Sequence, residues 1–188
     1  MNENLIEYSL VRLFEPSINS LSNHIIKLSD DDRYLRFGSV ATDYRIKQYV
    51  TDSLSRVNSR TEFDFWFAIT CSVGIVATIH IAIRDGVAEF AFTTDIDYRG
   101  RKLGQLLFAR GYQLITEFCI TQIFMTCLSR NSAMKYIARK FGLTVIAHGT
   151  ESDATLKIDY PVSLEKISEI KISIADKSFR GIINTSTI

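Results

Sequence analysis

Apolar side chains recur along this chain with two different periods, and the change from one to the other organises it. From Glu7 to Leu13 the residues alternate loosely around Tyr8, Leu10 and Arg12, a short opening strand that Pro16 closes. Leu21, Ile25 and Leu28 then fall at helical intervals, and Ile46, Val50 and Leu54 recur every four residues, so helices are expected over Ile18–Leu28 and Asp43–Leu54. Between them, Ser29 to Gly38 opens with helix-capping residue types and ends in glycine, a short helical turn inside a loop. The character changes at Phe63. Phe63–Cys71, Gly74–Ile83 and Val87–Thr93 are rich in aromatic and β-branched residues, which predicts three consecutive strands. Asp85-Gly86 tolerates the positive φ angles of a two-residue type I′ turn and thereby sets a register. Ala82 faces Glu89 and His80 faces Ala91, so Glu89 and His80 become diagonal neighbours on one face.

Helical spacing returns with Leu103, Leu107, Gly111, Leu114 and Phe118 on one face, followed by a strand at Gln122–Leu128. Asn131 offers an N-cap to a helix whose apolar face is Ala133, Met134, Ile137, Ala138 and Phe141, with Gly142 as its stop. Leu143–His148 and Ala154–Ile158 complete the sheet, and Leu164, Ile167 and Ile170 suggest a short amphipathic helix beyond Pro161. The expected architecture is α/β of the α+β type. It has a single mixed, mostly antiparallel sheet of about seven strands, flanked by about four helices.

Composition narrows the classes. The chain has 188 residues, 46% apolar and 23% charged, which suits one globular domain and excludes collagen, coiled coil and a disordered chain. Lys and Arg number 22 against 21 Asp and Glu, so no global charge draws it to nucleic acid or an anionic membrane, and neither is an expected partner. The longest uncharged stretch, Phe65 to Ile83, is interrupted by Thr70, Ser72, Gly74, Thr78 and His80 and reads as two strands rather than a membrane span. Met1-Asn2-Glu3-Asn4 lacks the basic start of a secretory signal, and the cysteines are an odd three, Cys71, Cys119 and Cys127. A reduced, cytoplasmic protein is expected, and no Cys/His/Asp spacing suggests a metal site.

The segment richest in chemistry is Arg99 to Gln105, where two glycines, three cations and a helix start lie directly behind a strand. A helix N-terminus leaves about four amides unpaired and carries roughly half a positive charge, so a diphosphate can dock there. Arg99, Arg101 and Lys102 crowd the end of the helix that disfavours cations, a conflict an anion would relieve. The plain alternative is a strand-to-helix turn with a solvated basic rim. Glu89 is a lone carboxylate in an otherwise apolar strand, where burial would strengthen it as a proton acceptor. It is the candidate general base for an amine, and the alternative is a carboxylate that faces solvent or pairs with a cation. His80 could orient Glu89 or act as base itself, or it is a satisfied structural histidine. His24 and His148 read as surface or edge residues, and Cys127 as inert packing.

Arg99-Gly100-Arg101-Lys102-Leu103-Gly104 resembles the Arg/Gln-x-x-Gly-x-Gly/Ala pyrophosphate loop of the GNAT superfamily of acyl-coenzyme A dependent N-acyltransferases. The resemblance runs from Gly74 to Leu143, through Ala88-Glu89-Phe90-Ala91-Phe92, Asn131-x-x-Met134 and Lys140-Phe141-Gly142-Leu143. It implies a sheet splayed between its fourth and fifth strands with coenzyme A in the gap, and acetyl-coenzyme A as cosubstrate. The amides of Arg101, Lys102, Leu103, Gly104 and Gln105 would meet the pyrophosphate, main-chain groups of Phe92 and Thr94 the pantetheine, and Asn131 the cofactor arm. Residues 1–160 would form the acyltransferase domain, with 61–143 its cofactor-binding core and 161–188 an extension. The acceptor would be a primary amine of a small molecule or a protein lysine, attacked directly in a ternary complex. The region Tyr34 to Phe37 falls where similar proteins have one wall of the acceptor pocket.

Two positions depart from the family. Lys102 replaces the usual middle glycine, which is tolerable if its angles are already helical but strained at positive φ. Ala138 stands where many members have a tyrosine that protonates the departing thiolate; Tyr136 is two places early, a rotation of about 200° on a helix that turns it away. That loss, with the phosphate loop intact, also supports a non-catalytic acyl-coenzyme A binding or regulatory module; a third reading is an interaction protein that keeps the fold only, with residues 161–188 as a docking or homodimer segment.

Overall fold

A computed structural model describes residues 6–55, 62–160 and 183–184. Its strands are β1 (Tyr8–Leu13), β2 (Glu62–Cys71), β3 (Gly74–Arg84), β4 (Val87–Thr94), β5 (Gln122–Leu128), β6 (Thr144–His148), β7 (Glu151–Lys157) and β8 (Ile183–Asn184). They form one sheet in the order β6-β7-β5-β4-β3-β2-β1-β8. The pairs β4–β5 and β1–β8 are parallel and the others antiparallel, so the sheet is mixed and mostly antiparallel as expected. The α-helices are α1 (Ile18–Ile26), α2 (Asp30–Phe37), α3 (Asp43–Ser55), α4 (Leu103–Glu117) and α5 (Ser132–Lys140).

The hairpin register follows from its turn. Asp85 and Gly86 adopt φ of 49° and 79°, and Ala82 pairs with Glu89 and His80 with Ala91. Alternation along β2 to β4 then sends side chains to two separate cores. Phe65, Phe67, Ile79, Ile81, Ile83 and Phe90 pack beneath Leu107, Phe108 and Tyr112 of α4, while Trp66 and Ala68 pack against Leu21 and Ile25 of α1 and Ile46 and Val50 of α3. With helices on both faces, the central strands are apolar on both sides, hence their near-continuous apolar runs. Gly111 lets α4 come close: a Cβ there would lie 2.9 Å from the Phe90 ring.

Two expectations need correction. Ser29–Gly38 is a full helix, α2, rather than a turn. The Ser29 hydroxyl accepts from the Asp32 amide at 3.2 Å, and Gly38 ends it in the left-handed region with φ 66°. None of its residues is fully buried, so no apolar stripe announces it in the sequence. Among the described residues five α-helices flank the sheet, in keeping with the about four expected, and the two-residue strand Ile183–Asn184 stands beside the seven longer ones. Finally, His24 is buried rather than at the surface. Its Nδ1 donates to the Ile75 carbonyl at 3.1 Å and its Nε2 accepts from the Thr93 hydroxyl at 2.8 Å, which Thr78 meets at 2.6 Å. Loss of hydration on burial lowers its pKa from 6.5 to about 4. The helix expected beyond Pro161 lies outside the described residues.

The feature that positions the site is a break in the ladder. β4 and β5 pair only from Val87–Glu89 to Gln122–Phe124, and beyond that point the two strands part.

Candidate active site

A cleft of about 540 Å³ occupies the gap, walled by β4, β5, the start of α4, the first turns of α5 and the inner side of α2. At the end where the two strands have parted lies the segment after β4. Asp95 caps a 3-10 turn at Ile96–Tyr98, and the chain then reverses through Gly100 at φ 74° and Lys102 at φ 59°. Lys102 thus adopts left-handed angles, the strained one of the two alternatives, and holds a side chain where the backbone favours glycine. The Lys102 carbonyl accepts the Gln105 amide at 3.0 Å and the Leu106 amide at 3.2 Å. The Gln105 amide, expected at a phosphate, therefore belongs to the helix, while those of Leu103 and Gly104 precede its first bond. Gly104 permits α5 to close in: a Cβ there would fall 2.8 Å from Ile137 Cδ1.

The side chains of this loop diverge. Arg99 lines the cleft and pairs with Asp32 of α2 at 2.5 Å. Arg101 turns away, its guanidinium 5.5 Å from the Tyr98 ring centroid and Nη1 donating to the Tyr8 hydroxyl at 3.4 Å. Gly100, Lys102, Leu103, Gly104 and Gln105 line the cleft, and Gln105 Oε1 is buried with no hydrogen-bond partner among the described residues.

Phe92 and Thr94 line the β4 wall, with the Phe92 ring parallel to that of Phe108. Asn131 stands on the opposite wall and is also an N-cap, its side chain accepting from the Met134 amide at 3.1 Å. Cys127 lines the β5 wall, where burial raises its thiol pKa. Ala138 is fully buried, and Tyr136, expected to turn away, is instead a lining residue with 57% of its surface exposed.

The structure separates the two candidate catalytic residues. Glu89 lines the cleft where β4 and β5 part, but it is exposed, so the burial expected to strengthen it is absent. His80 shares its face of the sheet yet lies outside the cleft lining, 6% exposed, with both ring nitrogens engaged. Nδ1 bonds the Tyr49 hydroxyl at 2.6 Å, Nε2 bonds Asp64 at 2.9 Å, and Trp66 stacks on the ring at 4.4 Å. Burial lowers the His80 pKa despite Asp64, so the ring is neutral and structural rather than an available base. Asp64 itself, hydrogen-bonded to His80 and Arg84, has its pKa lowered against the opposing effect of burial.

Sequence reasoning missed how α2 closes the site. Its Asp32 reaches Arg99 beside β4, and its Asp31 reaches Arg130 after β5 at 2.7 Å, so one short helix is tied to both sides of the gap. Leu28, Asp32, Leu35 and Arg36 line the cleft from this side.

A mixed sheet parted between its fourth and fifth strands, with a tight loop and helix start beside the gap, is a fold this chain shares with solved structures described as GNAT acetyltransferases. Solved structures of that fold match over most of this chain. The GNAT domain of PAT from S. lividans is 15% identical, with 79% of this chain and 89% of that one covered at a TM-score of 0.65. The ribosomal-protein-S5-alanine acetyltransferase of Vibrio fischeri is 11% identical, with coverage of 82% and 94% and a TM-score of 0.64. The spermidine N-acetyltransferase of Vibrio cholerae, in complex with CoA and spermine, is 11% identical, with coverage of 81% and 95% and a TM-score of 0.60. No family model and no curated protein matches the sequence.

Proposed function

We propose that the protein is an N-acyltransferase that moves an acetyl group from acetyl-coenzyme A to a primary amine by direct attack in a ternary complex. The observation that carries this reading is the parted β4–β5 pair, with unspent helix-start amides at one end of the cleft and Glu89 toward the other. The residues present suit the cosubstrate: the Leu103 and Gly104 amides and the Arg99 and Lys102 cations for a diphosphate, and the buried Gln105 Oε1 as an acceptor without a donor. Main-chain groups of Phe92 and Thr94, with Asn131 opposite, would hold the arm. Bound acetyl-coenzyme A supplies an acyl group activated as a thioester. Glu89 takes the proton that the acceptor ammonium must lose before its nitrogen can attack, directly or through water that its exposure admits. With Ala138 buried, no side chain at that position protonates the leaving thiolate, and a thiol of ordinary pKa about 8.5 leaves without such help.

The same fold around a cleft without turnover, an acyl-coenzyme A binding module, is the second reading, favoured by Ala138. Glu89→Gln separates the two. We expect acceptor-dependent release of coenzyme A to fall at least about 10²-fold while calorimetric affinity for acetyl-coenzyme A stays within a factor of three. Binding by the wild type without acceptor-dependent thiol release across an amine panel would favour the module. The setting proposed for this activity is the reducing cytoplasm, in keeping with the unbridged Cys71, Cys119 and Cys127.

A further inference from the structure

One cation on the cleft wall has unfinished hydrogen bonding. Arg36, in the last turn of α2, lines the cleft together with Leu35 and Glu89. Its Nη2 donates to the Tyr49 hydroxyl at 2.7 Å, and its guanidinium stands 5.0 Å from the Phe37 ring centroid and 5.5 Å from that of Tyr49. Its Nε is buried with no acceptor among the described residues. No ion pair joins it to a carboxylate among the described residues, and of the acids on its own helix Asp31 is engaged with Arg130 and Asp32 with Arg99. A buried donor without an acceptor is disfavoured, and so is a guanidinium in an apolar wall without an anion.

The protein nevertheless fixes this side chain in place. Asp64, ionised and paired with Arg84 at 2.7 Å, can only accept, so His80 Nε2 carries the ring proton and Nδ1 accepts from the Tyr49 hydroxyl. The Tyr49 oxygen then accepts from Arg36. Each link of this chain has one polarity, and its outermost member is the guanidinium at the cleft.

Arg36 also lies at the right end of the cleft. Asp32, four residues earlier, is bound to Arg99 of the loop before α4. A rise of 1.5 Å per residue puts Arg36 about 6 Å farther along α2. That is toward the level of His80, whose partner on β4 is Ala91, two residues from Glu89. Glu89 and His80 project from the same face of the sheet, the face that α3 covers.

From this placement we infer that the acceptor is a small amine that also bears a carboxylate, a free amino acid in chemical class, and that Arg36 is the residue that selects it. The inference rests on the acyl-transfer reading above. The acceptor ammonium meets Glu89, and its carboxylate takes the donors of the Arg36 fork, the planar arrangement that suits a carboxylate.

The test compares free amino acids with their amides, which keep every group except the anion. Acetyl-coenzyme A turnover is measured on L-leucine, L-methionine, L-phenylalanine and L-lysine against the corresponding amides, in wild type, Arg36→Met and Arg36→Lys, with folding followed by circular dichroism. The expected result is a preference for acid over amide of at least tenfold in kcat/KM in the wild type. That preference should fall at least tenfold in Arg36→Met, through KM, and part-way in Arg36→Lys, which keeps the charge and loses the fork. Amides used as well as acids, or a preference that survives Arg36→Met, overturns the inference and leaves acyl transfer standing. If none of the acceptors turns over, calorimetric titration of the N-acetylated acids and N-acetylated amides in the presence of coenzyme A decides. Binding of the acids alone, lost in Arg36→Met, supports the assignment, and binding of neither overturns it. Failure of the wild type to bind acetyl-coenzyme A sinks the acyl-transfer reading and this inference with it.

Discussion

Acidification should loosen this fold through His24, and the size of the effect follows from its surroundings. The ring is held neutral between the Ile75 carbonyl and the Thr93 hydroxyl, with a pKa lowered from 6.5 to about 4 chiefly by burial. In the unfolded chain it titrates near 6.5. Between these two values the unfolded state binds a proton that the folded state excludes. The stabilisation is therefore fully present above about pH 6.5 and is lost as pH falls toward 4. Linkage over that window amounts to about 2 kcal/mol lost by pH 5 and about 3 kcal/mol by pH 4. His80 and Asp64 also have lowered pKa values, so the wild-type profile alone does not isolate His24. His24→Asn keeps a donor near the Ile75 carbonyl and removes the titrating group. The assay is urea unfolding of both proteins at pH 7, 6, 5 and 4.5. The stability gap between them should narrow by about 2 kcal/mol from pH 7 to pH 5. A gap constant to within about 0.5 kcal/mol across that range would refute the argument that burial excludes the proton.

Two backbone positions give further predictions. Lys102→Gly relieves a left-handed residue at φ 59°; strain of about 1–2 kcal/mol, partly offset by the greater freedom of unfolded glycine, leaves a gain of about 0.5–1 kcal/mol. A higher urea midpoint with unchanged slope would report it, and a lower midpoint would mean that the lysine side chain outweighs its own strain. Gly111→Ala would seat a methyl 2.9 Å from the Phe90 ring and 3.0 Å from Ile81 Cδ1. The overpacking should destabilise by about 1–2 kcal/mol, although alanine is the better helix former by about 1 kcal/mol. A thermal midpoint that rises would show that Phe90 yields without cost.

What could be read from the chain divides along sequence distance. The β3–β4 register was legible because a two-residue turn, Asp85-Gly86, determines it locally. The parted β4–β5 pair was legible only through the family resemblance, since nothing in Val87–Thr94 or Gln122–Leu128 marks where pairing stops. His24 did leave a signal: it lies three residues after Leu21 and beside Ile25, in the same stripe of α1. His80 left none, because Asp64 and Tyr49 stand 16 and 31 residues away and meet it only once β2, β3 and α3 are packed. The exposure of Glu89 was hidden for a related reason. Alternation gives the face a strand residue projects from, not whether a helix happens to cover it there. Arg36 needed all of these contacts at once before its position meant anything.

The two ties made by α2 have a mechanical consequence. Across most of a sheet the spacing of neighbouring strands is set by amide hydrogen bonds, whose length no buffer changes. Beyond Glu89 and Phe124 that ladder is missing, and α2 spans the interval through Asp32–Arg99 on one bank and Asp31–Arg130 on the other. Both tethers are ion pairs with at least one partner about half exposed to solvent. The distance over which such charges feel each other shrinks from about 10 Å at 0.1 M salt to about 3 Å at 1 M. The stiffness of the mouth is thereby delegated to the surrounding electrolyte: dilute solution draws the clasp tight, and concentrated salt slackens both of its ends together.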